Sequence, residues 1–447
     1  MIQLSTLDYL VLAGFLVLMI AVVWYSMRNK EEDTADYFLA GRNAGWLVIG
    51  ASIFASNIGS EHLVGLSGSG AASGMALAHW ELQSWIILLL GWLFVPFYWS
   101  SKVYTMPEFL ERRYNSQSRT FLSVISLVSY VLTKVAVTVY AGGVAFKTIL
   151  GIESIWGIDF FWIAAIGLVL ITGVYTVLGG MKAIMWTSVL QTPVLIIGSV
   201  VIVVVGLDKV GGWAEVERLN GANMHLMRAA SDENFPWPGI IFGSFIIGFW
   251  YWCTDQYIVQ RVLSAKGIQA ARRGTIFAGY LKLLPVFIFL VPGLIAHALQ
   301  AKGIISYGSA DQAFPTLVSE LLPSGVKGIV IGGLLAALMS SLASLFNSSA
   351  TLFTIDFYKK YKPQSSEKHL LKVGRIATVV VVVLGEGDLA GYLLVCVVTG
   401  FALGADLSLP AALVARLIEE NGERGKTEGT YFGLWNWVNK FNLALAP

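Results

Sequence analysis

Ten apolar stretches, most of them close to the length needed to cross a bilayer, decide what this chain can become. They fall near residues 7–26, 44–72, 79–99, 120–149, 159–178, 183–206, 238–260, 274–298, 325–356 and 373–415. About 20 apolar residues span the hydrocarbon layer as a helix. Lipid offers backbone polar groups no partner, so such stretches are read as helices. Only 13% of the 447 residues are charged and 56% are hydrophobic, with a mean hydropathy of +0.69. A soluble chain would carry about a quarter charged residues. Most of its surface must therefore face something other than water, and the reading is an all-α polytopic membrane protein.

Several classes drop out early. A net charge of +2 leaves no electrostatic footprint for nucleic acid. Two lone cysteines, Cys253 and Cys396, make neither a disulfide framework nor a zinc site. The opening run "DYLVLAGFLVLMIAVVWYSM" is too long for the apolar part of a cleaved leader and is followed by no small-residue cleavage site. With the N-terminus outside, the loops 27–43, 100–119, 179–182, 261–273 and 359–375 face the cytoplasm and hold 18 Lys and Arg, against six in the opposite loops. The positive-inside rule then predicts an N-out protein of the cytoplasmic (inner) membrane.

The stretch "FASNIGSEHLVGLSGSGAASG", residues 54–74, sits inside such an apolar run. Its glycines at 65, 68, 70 and 74 do not fit a nucleotide loop, and no strand precedes them. Small residues could serve close helix packing, but that leaves Glu61 and His62 unexplained, because charge at membrane depth lines a cavity or is paired. A helix broken around Asn57–Ser60 would turn bare carbonyls toward such a cavity, as in secondary transporters. Glu81 and Gln83 open the next apolar run, where Glu81 either faces the cavity or sits at the interface. Tyr251 and Trp252, followed by Thr254, Asp255 and Gln256, suggest an aromatic and polar wall suited to a sugar. Lys282, about eight residues inside its helix, either joins the cavity or reaches back to the cytoplasmic edge. Ala337, Ser340 and Ser341 share one helical face at i, i+3 and i+4. Their oxygens either bond back within the helix or form an uncharged cage suited to a monovalent cation rather than Mg²⁺ or Ca²⁺.

Over residues 5 to 380 the chain resembles the solute:sodium symporter family, in particular sodium/glucose cotransporters. The motifs that carry this are "ASNIGSEHLVGLSGSGAASG", "YTMPEFLERRY", "YTVLGGMKA", "FWYWCTDQYIVQRVLSAK" and "LMSSLASLFNSSATLFTIDFY". The resemblance implies a leucine-transporter-type fold: two inverted five-helix repeats preceded by one extra helix. It implies a sodium site from the carbonyls of Ala55, Ile58 and Ala337 and the hydroxyls of Ser340 and Ser341. It implies a sugar or polyol site from Asn57, His62, Glu81, Trp252 and Lys282, closed from the cytoplasmic side by Tyr251. Gly248 replaces a polar residue of that pocket, and Ser188 stands where some members have an aspartate linked to ion coupling. The domain reading is a symporter domain over 1–382 and a foreign-looking segment over 383–447, whose sequence is similar to glycoside–pentoside–hexuronide:cation symporters. Glu386 and Asp388 interrupt what should be an apolar span, so the second repeat is read as incomplete or replaced and the junction as a possible chimera.

The expected activity is sodium-coupled symport of a glucose-, galactose- or inositol-like solute, by a protein working as a monomer in the bilayer. A channel would need rings of identical polar groups, and an enzyme a positioned base with a nucleophile or metal, which five scattered histidines do not suggest. A sugar-binding sensor, or a transport-inactive truncated or chimeric homologue, is the alternative.

Overall fold

The computed structural model describes residues 4–28, 33–59 and 61–384. The 383–447 segment, with Glu386, Asp388 and the repeat completion expected there, lies outside the described residues, apart from the last turn of a helix that ends at Leu384. The chain divides into two compact units, Met1–Leu226 with Gly248–Gly387, and Met227–Ile247 with Asp388–Pro447. In the second unit the described stretch is held by its own contacts. Asp232 accepts from the backbone N–H of Asn234 (3.0 Å) and Phe235 (2.7 Å), and pairs with Arg228 at 3.6 Å.

Helices dominate the described residues. Those that build the site and its frame are α1 Thr6–Ser26, α2 Trp46–Asn57, α3 Glu61–Ser101, α4 Ser116–Leu150, α5 Phe160–Val210, α6 Gly239–Thr254, α7 Gln256–Leu263, α8 Ile268–Ala301, α9 Val326–Tyr361 and α10 Glu367–Leu384. Among the described residues, six of these are long and apolar enough to cross a membrane: α1, α3, α4, α5, α8 and α9. α2 has 12 residues; at 1.5 Å per residue it reaches about 18 Å, far short of the roughly 30 Å hydrocarbon layer. It is half of a discontinuous helix. α6 and α7 make a second one, interrupted at Asp255 (φ −68°, ψ 126°). The apolar run 238–260 gave no hint of that interruption. The connection expected at 179–182 is present but reduced to one residue: α5 consists of two helical arms that meet at the non-helical Gly180 (φ +48°, ψ −150°). A Cβ there would also stand 2.6 Å from the Tyr37 carbonyl, so glycine is required twice over.

The core gathers around α9. Its best apolar window is 89% buried, against 22% for α1. Ala336, Ala337, Ser340, Ser341, Ala343 and Ser344 give it a slim profile that neighbours can approach from every side. α9 is tied to α4 where Asp356 accepts from Arg119 Nε (2.8 Å), Thr105 Oγ1 (2.8 Å) and Ser123 Oγ (3.0 Å). The first arm of α3 crosses α8 at backbone contact. A Cβ on Gly70 would strike the Leu290 carbonyl, and one on Gly293 would strike the Ser67 carbonyl and lie 2.7 Å from Ala71 N.

That crossing generates a stability prediction. Gly293→Ala should cost about 1–3 kcal/mol by overpacking against immovable backbone. Gly14→Ala, in open space on α1, should be neutral or slightly stabilising. Thermal unfolding of the detergent-solubilised protein should separate the two by a clearly lower midpoint for the first; equal midpoints would contradict the crossing.

Candidate functional site

The break after α2 sets up the site. Ile58 leaves the helix in extended geometry (φ −86°, ψ 115°). The Gly59 N–H donates to His62 Nδ1 (3.4 Å) and the His62 N–H to the Gly59 carbonyl (3.1 Å). The donors a continuous helix would bring to the Ala55 and Ile58 carbonyls are therefore used elsewhere. The Ser56 carbonyl accepts the Ser341 hydroxyl at 3.0 Å and the Tyr257 hydroxyl, whose oxygen lies 3.2 Å from Ser341 Oγ. Ser340 Oγ lies 3.4 Å from Ser188 Oγ. Ala55, Ile58, Ala337, Ser340 and Ser341 are all buried. The structure thus joins the broken helix to α9 through neutral oxygens.

A charged set lies beside it. Glu81 pairs with Lys282 at 2.5 Å and with His62 at 3.1 Å, and Lys282 Nζ stands 3.3 Å from His62 Nε2. Glu81 and Lys282 are 2% and 1% exposed, so both side chains turn into the protein interior and toward each other. Lys282 Nζ is 5.7 Å from the Trp252 ring centre, within cation–π range. Tyr251 stacks edge-on against Trp252, ring centres 5.0 Å apart, and its hydroxyl accepts from Asn57 Nδ2 at 2.7 Å. Asn57, His62, Glu81, Tyr251, Trp252 and Lys282 are one connected group.

Other polar residues go elsewhere. Glu61 keeps a half-exposed carboxylate 3.7 Å from His62 Nδ1. Thr254 bonds back to the Trp250 carbonyl (2.8 Å), and Gln256 accepts from Met106 N (2.8 Å). Asp255 caps α7 and holds Lys134 at 2.8 Å and the Tyr130 hydroxyl. These three residues secure the second helix break and do not form the expected pocket wall. Tyr257 and Ser84 were missed. Ser84 follows Glu81 by one turn and carries a buried hydroxyl without a partner, a spacing that could have been read at the outset.

A profile of the sodium:solute symporter family matches residues 37–386. The chain belongs to that family. Among its relatives, this family member is 38% identical over 424 residues to the sodium/myo-inositol cotransporter of Bos taurus, covering 85% of this chain and 58% of the relative. It is 38% identical over 416 residues to sodium/glucose cotransporter 4 of Danio rerio, covering 85% and 62%. It is 38% identical over 406 residues to sodium/glucose cotransporter 1 of Ovis aries, covering 82% and 60%. The chain thus spans about three-fifths of the length of these curated relatives. A solved structure of a Na⁺-coupled sialic acid symporter in a substrate-bound outward-open state superposes with a TM-score of 0.77 at 24% identity, covering 88% of this chain and 83% of that one. The family member is a multi-pass membrane protein with the leucine-transporter-type fold.

The buried pair yields a test. Glu81→Gln leaves Lys282 charged and unpaired in the interior, a loss of about 3–5 kcal/mol by analogy with broken buried pairs. Adding Lys282→Met should recover much of it. Additive melting-point losses in the single and double variants would show that the two side chains are not coupled.

Proposed function

We propose that this family member is a sodium-coupled symporter of a neutral, hydroxyl-rich solute, a hexose or an inositol. The single observation that supports this most is the Ser341–Ser56–Tyr257 junction across the helix break. A cation beside this junction would be coordinated by the Ala55, Ile58 and Ala337 carbonyls and the Ser340 and Ser341 hydroxyls, of which Ser341 belongs to both. Ser341 spends its proton on Ser56, so its lone pairs remain for an ion. Five neutral oxygens hold a monovalent cation loosely enough to release it. The printed names of the relatives, sodium/myo-inositol and sodium/glucose cotransporters, support the same ion and solute class.

In this reading the solute meets Asn57, His62, Glu81, Trp252 and Lys282, and Tyr251 closes the pocket from the cytoplasmic side. Within the pocket Glu81 offsets the positive charge of Lys282, which favours a neutral ligand with many hydroxyls. Ring faces of Trp252 and Tyr251 accept the C–H faces of a sugar or cyclitol. Sodium holds the broken helix against α9 and so stabilises the outward-open pocket; solute then favours occlusion, and the repeats rock to open inward. Coupling is reciprocal, so sodium raises solute affinity by the factor by which solute raises sodium affinity. The protein works as a monomer in the cytoplasmic membrane with its N-terminus outside, and residues 1–382 form the transport domain.

Uptake of labelled myo-inositol and D-glucose into vesicles containing the purified protein should require an inward sodium gradient and collapse with a sodium ionophore. Uptake indifferent to sodium would refute the coupling. Ser341→Ala should raise the sodium concentration for half-maximal uptake by roughly tenfold, the worth of one to two lost hydrogen-bonding roles; an unchanged value removes Ser341 from the ion site. An epitope at the N-terminus should be reached by antibody on intact cells, and labelling only after permeabilisation would reverse the orientation.

A further inference from the structure

On α6, Gly248, Tyr251 and Trp252 share one face at i, i+3 and i+4. Two members of that face already touch the site: Tyr251 through Asn57, and Trp252 through Lys282. At Gly248 the face has no side chain, and the Gln83 amide has entered the gap. A Cβ on Gly248 would stand 2.7 Å from both Gln83 Oε1 and Ile86 Cδ1. Gln83 is only 9% exposed, and its Oε1 has no hydrogen-bond partner. The Asn57 Oδ1 and Ser84 Oγ atoms are likewise buried without partners. Folded proteins rarely leave buried polar atoms unpaired, and such a set marks where a ligand or ordered water completes the bonding.

We propose that Gln83 is a specificity-determining residue whose unpaired amide oxygen, seated against Gly248, accepts a hydroxyl of the solute. The inference rests on the polyol reading above and names the group that selects within that class. An amide oxygen takes a hydroxyl as donor and repels a carboxylate oxygen, so the pocket favours neutral polyols over acidic sugars. A site built to bond a hydroxyl rejects the analogue that lacks it, because the protein atom is then left unpaired. The placement of the amide depends on Gly248: any larger residue there pushes it aside.

The test uses the full chain in vesicles, with single-deoxy analogues of myo-inositol and D-glucose competing against the labelled parent. In the wild type, one deoxy position should weaken competition roughly tenfold or more, while the others matter less. In Gln83→Leu the parent should bind roughly tenfold more weakly, and that one analogue should no longer be distinguished from it. Measured at solute concentrations that saturate each protein, the sodium concentration for half-maximal uptake should stay the same, separating lost recognition from damage to the ion site. Gly248→Ser should reproduce the loss by displacing the amide, and it carries the test alone if Gln83→Leu does not fold. A deoxy profile in the variants identical to wild type overturns the proposal. Absence of any sodium-dependent polyol uptake by the wild type is a different outcome, and it overturns the function proposed above along with this inference.

Discussion

A peptide carbonyl freed inside a membrane must find a donor, because the surrounding lipid supplies none. At Ser56 that donor is the Ser341 hydroxyl, some 280 residues along the chain, reinforced by Tyr257. This small arrangement joins α2, α7 and α9, three elements that hydropathy alone would leave independent. It exists only because the chain abandons helical geometry at Ile58. An unbroken helix would bond its own carbonyls and present α9 with nothing but side chains. The break thus converts backbone into a cross-link.

The neighbouring charges obey a related constraint. A lone ammonium or carboxylate buried at this depth is costly, so Lys282, Glu81 and His62 appear together, each within 3.3 Å of another. Their mutual proximity makes the group nearly neutral from outside while leaving several hydrogen-bonding atoms in place. The aromatic rings of Tyr251 and Trp252 close one side of it. Polar and apolar faces side by side are the make-up that the proposed hydroxyl-rich solute would need.

Much of this was legible in the residues. Long apolar runs located most of the helices, and His62 in one of them announced a buried, paired charge. Ser340 and Ser341 announced oxygens on a single face. What could not be read was which of two nearby carboxylates turns inward. Glu61 and Glu81 have similar surroundings in sequence, but only the latter meets Lys282, a partner 201 positions away. The second break at Asp255 was hidden for a related reason. Its cause is long-range, the Lys134 and Tyr130 side chains that hold the carboxylate, while hydropathy averages straight through the gap. At Gly180 the two expected spans do separate, but the connection between them shrinks to one non-helical glycine, a compression that a short polar step in the sequence does not reveal.

The crossing of the first arm of α3 with α8 carries a mechanical lesson. Where Gly70 and Gly293 meet, backbone rests on backbone, with no side chains between to slide or change rotamer. Interleaved side chains act as a soft bearing, whereas this contact has no such compliance. The half-helix bearing His62 and the helix bearing Lys282 are therefore clamped into one stiff lever. The rocking proposed above would therefore carry His62 and Lys282, the two partners of Glu81, as one piece.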